Sequence, residues 1–250
     1  MKYSIQLYSC RDSIREDMDG TLKQLSEIGY SYVETAGFAG HTAEEVRAML
    51  DKHGLKALST HTGIGELADE KIDETIRNHK IIGADTIIIP GCNFSTKEDI
   101  DAVIDLINKA QPKIEAEGLR LAYHNHSFEF FPNQDGLYMH KELEERTNID
   151  FEIDTFWAYN AGVDPVEIIK GLKEKDRIRF VHIKDGFRAE DPINQHADGM
   201  PLGMGNAPCE AVYNIAKELS IQLVVESETQ KPDGITEADI CFKFLKSIEK

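Results

Sequence analysis

Eight short runs rich in Ile, Val, Leu and Tyr recur along this chain, each followed by a longer stretch of amphipathic helical character. The strand signals fall near 3–8, 31–35, 55–60, 85–89, 119–124, 150–154, 178–183 and 221–225. The helical signals fall near 15–28, 42–53, 66–82, 96–117, 136–146, 164–175, 208–219 and 235–249. Strand then helix, eight times over in 250 residues, is the size and rhythm of a closed (β/α)8 TIM barrel. The strand starts are too irregularly spaced for a solenoid. An open doubly wound sheet is the structural competitor, but no GxGxxG follows the first strand, so a dinucleotide-binding form has nothing in its favour. The fifth to eighth strands read as near-continuous apolar runs, as parallel strands buried on both faces should. No linker or composition shift breaks the chain, so one α/β domain over 1–250 is expected.

Several boundaries have a physical cause. Thr42 ahead of Glu44 and Glu45 suits a helix start by capping and by the helix dipole. Gly54 and Gly118 are stops ahead of the strands at Leu55 and Leu119. Ser95-Thr96-Lys97-Glu98 offers a cap for the longest helix, which Pro112 is expected to kink or divide. The longest irregular segment, Lys184–Pro208, is rich in Gly, Pro, Asp and Asn; loops of that length in compact domains tend to be functional.

The formal net charge of −17 opposes binding to nucleic-acid backbone or anionic membrane, both polyanions, and leaves a small-molecule partner. No apolar run is long enough to span a bilayer and no secretory leader is expected. Cys10, Cys92, Cys209 and Cys241 are scattered without a CxxC pair, which points to reduced thiols and a cytoplasmic protein. Homo-oligomerisation is possible in a barrel of this size, but no patch in the sequence marks an interface.

Chemistry concentrates at the C-terminal ends of the last four strands. Those ends carry His124, His126, Glu129, Asp154, His182, Lys184, Asp185 and Glu226. In a parallel barrel such ends gather on one face. Asp154, His182 and Glu226 together suit a hard divalent ion, and a ligand from the fifth strand would complete the set. Glu129 is the acid just past that strand and the expected fourth ligand; His124 and His126 are the other candidates. Three carboxylates and one imidazole favour Mn²⁺, with Mg²⁺, Co²⁺ or Zn²⁺ as alternatives. Such an ion holding a ketone oxygen and the neighbouring hydroxyl would acidify the carbon between them. Glu129 and Glu226 are the expected proton-transfer carboxylates. Lys184 would polarise the developing oxyanion, or else pair with Asp185. Earlier strand ends supply Tyr8, Arg11, Glu34, His61, Asn93 and Phe94 to the same face. Tyr8, Arg11, His61, His124, His126, Trp157 and Asp185 form the expected substrate-binding set, with aromatic rings stacking on a sugar.

The motifs LAYHNHSFEF, EIDTFWAYNAGVDP, VHIKDG, PLGMGN and VVESE stand in an order and spacing that resemble the xylose-isomerase-like barrels. These include sugar phosphate isomerases/epimerases, inosose dehydratase, ketose 3-epimerases and endonuclease IV. The resemblance runs from IQLYSCRD at the first strand to the last helix. It implies that Asp154, His182 and Glu226 are metal ligands and that Glu226 doubles as a base. The chain departs from the ketose 3-epimerases at three places. Tyr123 stands where they carry a fifth-strand Glu, Trp157 where they often carry a His, and Met204 interrupts a Gly-Glu-Gly pattern. Endonuclease IV chemistry needs a basic DNA groove, which −17 opposes. The expected function is metal-dependent isomerisation or epimerisation of a sugar or keto sugar through an enediolate. A lyase or hydrolase acting on 3-keto sugars is the runner-up, and a non-catalytic sugar-binding barrel is the remote alternative.

Overall fold

The computed structural model describes residues 2–193 and 197–249. Its element order is β1 (Ser4–Gln6), α1 (Arg11–Glu16), α2 (Met18–Ile28), β2 (Tyr32–Ala36), α3 (Ala43–His53), β3 (Lys56–His61), α4 (Ile72–Ile82), β4 (Thr86–Ile89), α5 (Lys97–Ala116) and β5 (Arg120–His124). It continues with α6 (Met139–Arg146), β6 (Asp150–Asp154), α7 (Thr155–Asn160), α8 (Pro165–Glu174), β7 (Ile178–Ile183), β8 (Asp185–Phe187), β9 (Asp198–Met200), α9 (Cys209–Glu218), β10 (Gln222–Val225) and α10 (Gly234–Ile248). Eight strands close a parallel barrel in the order β1-β10-β7-β6-β5-β4-β3-β2, and helices run between them on the outside. This is the TIM barrel that the strand–helix alternation predicts.

The helix ends follow from local chemistry. Thr42 and Glu45 form a capping box at α3, which ends at Gly54 in the left-handed region. Thr96 and Asp99 do the same at α5. Asp164 with Pro165 opens α8. Three sequence expectations are corrected. The helix expected over 15–28 is two, because Asp17 leaves helical geometry and caps α2 by accepting from the Gly20 N–H. Pro112 does not divide α5. The segment Lys184–Pro208, apart from 194–196, which lie outside the described residues, is not wholly irregular: β8 and β9 pair antiparallel there.

Inside the barrel, the two-residue period of each strand stacks side chains in layers. Leu58, Ile88, Ala122, Phe180 and Val224 pack as an apolar plug. Two residues further along the same strands come His124, His182 and Glu226, and two further again come His126, Lys184 and Glu228. Strand register aligns these layers: Glu152 lies beside His124, Asp154 beside His182, and Glu34 beside Gln6 and Ser59. The apolar layer closes the barrel below, so every polar group above it faces the C-terminal mouth.

Two histidines serve the outer core instead. His140 lies between the rings of Phe130 and Phe151, and His79 bonds the Thr75 carbonyl at 2.7 Å. Burial pushes both pKa values down to about 4. The unfolded chain therefore takes up protons below about 6.5 that the native chain refuses, and stability falls as pH drops from there towards 4. Each group contributes on the order of 3 kcal/mol to that loss. In denaturant melts across this window, His140→Leu is expected to lower the proton uptake on unfolding by about one; an unchanged pH slope would contradict a neutral, buried His140.

Candidate metal centre and active-site cavity

A cavity of about 430 Å³ opens at the C-terminal mouth, with Tyr8, His61, His124, His126, Glu226 and Glu228 among its lining residues. At its floor, one ligand atom from each of His124, Asp154, His182 and Glu226 lies within 4.8 Å of the other three. His124 and Asp154 end β5 and β6, His182 is the penultimate residue of β7 and Glu226 follows β10, so four adjacent strands each place one donor in the centre. All four are buried.

The electrostatics of this floor call for a cation. Asp154 Oδ1 caps α7 by accepting from the Trp157 N–H at 2.8 Å, while its Oδ2 is buried without a hydrogen-bond partner. His124 Nδ1 is buried and unpartnered as well. Burial drives the Asp154 pKa well above the carboxylate range, against the pull of Lys184. Burial also works against ionisation of Glu226, but Lys184 and His182 outweigh it and hold that group well below its usual value. Burial forces His124 towards the neutral form, which is the form that binds metal. Two imidazoles and two carboxylates in a dry site, with orphaned donor atoms, fit a divalent ion of the Mn²⁺, Co²⁺ or Zn²⁺ type.

Lys184 is wholly buried over this centre. Its Nζ is 2.8 Å from Glu228 Oε2, 3.3 Å from Glu226 Oε2 and 3.8 Å from Asp154 Oδ2. It also lies 4.5 Å above the Trp157 ring. Burial opposes its charge, but Glu226, Asp154 and Glu228 prevail and raise its pKa.

The structure gathers some expected site residues and leaves others out. Asp154, His182 and Glu226 come together, joined by His124. Glu129 does not join them. Its carboxylate accepts from the Tyr123 hydroxyl at 3.0 Å and the His126 N–H at 2.8 Å, and it braces the turn after β5. Burial raises its pKa, partly offset by those bonds. Trp157 is buried with its face towards Lys184, so it does not offer that face to a sugar. Asp185 is also spoken for: its two oxygens accept from the N–H groups of Gly186, Gly203, Gly205 and Ala207 at 2.8, 2.9, 2.9 and 3.0 Å. It is the clasp of the loop between β7 and α9, not an exposed sugar contact. His61, His124 and His126 do line the cavity, and burial lowers the His126 pKa to about 4. Tyr8 lines it too, under the Arg11 guanidinium at 4.6 Å. Arg11 donates to the carbonyls of Tyr8 and Glu228 and lines a smaller adjoining cavity of about 160 Å³.

Two further acids of this mouth, Glu152 and Glu228, carry a signal in the two-residue period of the strands. Glu152 lies two residues before Asp154 on β6, whose acids Asp150, Glu152 and Asp154 alternate with Phe151 and Ile153, so Glu152 and Asp154 point the same way into the barrel. Glu228 stands in the same relation to Glu226.

The family model for xylose isomerase-like TIM barrels matches residues 22–248. The chain belongs to that family. Among solved structures, it is similar to a sugar phosphate isomerase/epimerase from Parabacteroides distasonis (22% identity, TM-score 0.76, 97% of this chain and 92% of that one). It is also similar to the zinc-bearing IolI protein (15% identity, TM-score 0.74, 99% and 98%) and to an L-ribulose 3-epimerase (16% identity, TM-score 0.72, 99% and 94%). At these identities the likeness is one of fold. No curated protein matches the sequence. Among the described residues, no helix is long and apolar enough to cross a membrane.

The Asp185 clasp has a direct consequence. An added Cβ at Gly205 would meet Asp185 Oδ1 at 2.3 Å, so the loop tolerates only glycine there. In Asp185→Ala, four backbone N–H groups lose their acceptor. Hydrogen exchange at Gly203, Gly205 and Ala207 is expected to accelerate at least tenfold while the barrel strands keep their protection. Unchanged exchange in that loop would refute the clasp.

Proposed function

We propose that this chain is a divalent-metal-dependent enzyme that moves a proton beside the carbonyl of a sugar or keto sugar, as an isomerase or epimerase. The observation that carries this reading is the convergence of His124, Asp154, His182 and Glu226 beneath the cavity, with Lys184 buried against two of their carboxylates. A divalent ion held by those four residues would bind a carbonyl oxygen and its neighbouring hydroxyl and make the carbon acid between them easier to ionise. Glu226, at the cavity floor, is the base for that proton. The Lys184 ammonium stabilises negative charge as it develops on the substrate oxygen. Glu228, beside Lys184 at 2.8 Å and open to the cavity, is the second acid in reach; from the same side as Glu226 it hands a proton to the neighbouring carbon, the isomerase outcome, whereas epimerisation would need a donor on the opposite face. His61 and His126 orient the sugar hydroxyls from the opposite wall, and Tyr8 closes over them.

The set holds two imidazoles rather than the one expected with Glu129. That balance shifts preference away from Mg²⁺ and towards Mn²⁺, Co²⁺ or Zn²⁺. The net charge of −17 supports a small carbohydrate rather than a polyanion as partner, and four unpaired cysteines support a reducing, cytoplasmic setting.

One observation favours a second reading. With Glu129 outside the cavity, Glu226 and Glu228 leave the same strand end and serve one side of a substrate. Removal and delivery of a proton on one side also suits β-elimination from a 3-keto sugar, the lyase outcome. The two separate in D₂O: metal-loaded protein is incubated with ketoses and 3-keto-glycosides and followed by NMR. Deuterium entry at carbon beside the carbonyl, with all substituents retained, is expected; loss of water or alcohol would transfer the assignment to the lyase, and no exchange across the panel would overturn both.

Asp154→Asn is expected to lower bound metal at this centre at least tenfold; unchanged metal content would sink the ligand assignment. Lys184→Met is expected to keep the metal and lose on the order of 10²–10³-fold in kcat. Full turnover in that variant would remove Lys184 from the chemistry.

A further inference from the structure

Next to the proposed centre lies a second constellation that its four ligands leave largely unexplained. His61 Nε2 is 3.0 Å from both Glu34 Oε1 and Glu152 Oε2. His182 Nε2 is 2.8 Å and 3.1 Å from the same two oxygens. Two imidazole nitrogens and two carboxylate oxygens therefore alternate around a closed ring. Glu34, Glu152 and His182 are wholly buried, and His61 connects the ring to the cavity. We propose that this ring is a second divalent-cation site, a two-nitrogen, two-oxygen cage suited to zinc. His182 is shared: its Nδ1 faces Glu226 at 3.4 Å, and its Nε2 faces the cage.

Each Nε2 carries at most one hydrogen. Hydrogen-bond geometry is met between His61 and Glu152 and between His182 and Glu34. The other two contacts, at 3.0 and 3.1 Å, do not meet it. A central cation would be a partner to all four atoms. Tetrahedral zinc bonds of about 2.0–2.2 Å hold ligand atoms roughly 3.3–3.5 Å apart, against 2.8–3.1 Å for the four contacts of the ring, and ligand atoms of His61, Glu152 and His182 lie within 4.8 Å of one another and of His124.

Charge points the same way. Glu34, Glu152, Asp154, Glu226 and Glu228 crowd the mouth, and Lys184 pairs with the last three of them. One divalent ion at the first centre leaves an excess of two negative charges in a buried site. With a second ion bound, His182 would bridge the two as an imidazolate, its ring proton released to solvent, and the excess falls to one. Glu152 Oε1 and His124 Nδ1 are buried without hydrogen-bond partners, and His124 Nδ1 lies 3.4 Å from Glu152 Oε2 at the edge of the cage. Glu34 is fixed from behind by Gln6 Nε2 at 2.5 Å and by the Ser59 hydroxyl, the kind of outer bracing that ligating carboxylates receive.

The inference touches the proposed function through the shared imidazole of His182 and through His61, which also lines the cavity, and stoichiometry tells the two apart. The full chain is stripped with chelator, reloaded with Zn²⁺, desalted and measured by plasma mass spectrometry, with circular dichroism on every variant. Two equivalents per chain are expected in the wild type and one in each of Glu152→Gln and His61→Asn. Asp154→Asn should also keep one, now at the cage. Reloading with Co²⁺ should give tetrahedral absorption bands that His61→Asn weakens by about half. One equivalent in the wild type, or two that survive both cage substitutions, overturns the second site. Full metal content in Asp154→Asn instead overturns the first centre and leaves the cage standing. If Glu152→Gln fails to fold, His61→Asn keeps both carboxylates and the wild-type stoichiometry still decides.

Discussion

A lysine with no access to water holds the mouth of this barrel together. Lys184 sits at the end of β7, buried, between carboxylates from β6 and β10 and over the Trp157 ring. Burying an ammonium alone is expensive, and burying Asp154 and Glu226 alone is no cheaper. Together they form one unit that is still short of positive charge. That shortage is the chemical character of the site: its buried carboxylates outnumber the one ammonium set among them.

The remaining structure keeps that unit in register. The apolar plug of Ile88, Ala122, Phe180 and Val224 closes the barrel beneath it. Side chains in the loop regions brace the strand ends that carry the donors. Asp185 ties down the loop after β7 through four backbone N–H groups. Glu237, wholly buried on α10, accepts from the Ser227 hydroxyl at 2.6 Å and from the Lys231 N–H at 2.8 Å, which steadies the segment holding Glu226 and Glu228. Glu129 does the same for the turn after β5. Several acids of this face are therefore structural, although their residue type alone is that of a ligand.

The distinction explains what could be read in the sequence. Strand positions were legible because a parallel strand buried on both faces is a short apolar run, and eight such runs alternated with helical stretches. Asp154, His182 and Glu226 were legible because each ends one of those runs. The place of Glu129 was not legible, because a sequence gives distance along the chain but not direction. It lies five residues beyond His124, in a turn that carries its carboxylate back onto Tyr123 and away from the centre. His124, by contrast, follows Ala122 by two residues on the inward face of β5, a periodicity that carries it to the floor of the cavity. Glu152 was not legible for the converse reason: it lies inside β6 rather than at its end, and only barrel closure brings it against His61, 91 positions away. Asp185 was read as a sugar contact because its four backbone partners come from residues that looked irregular.

Diffraction from crystals of the metal-loaded protein, recorded on both sides of the metal's absorption edge, tests the centre most directly. The expected result is an anomalous peak bounded by His124, Asp154, His182 and Glu226, with Lys184 beside it and Glu129 still bonded to Tyr123. A peak ligated by Glu129, or none between those four residues, would contradict it.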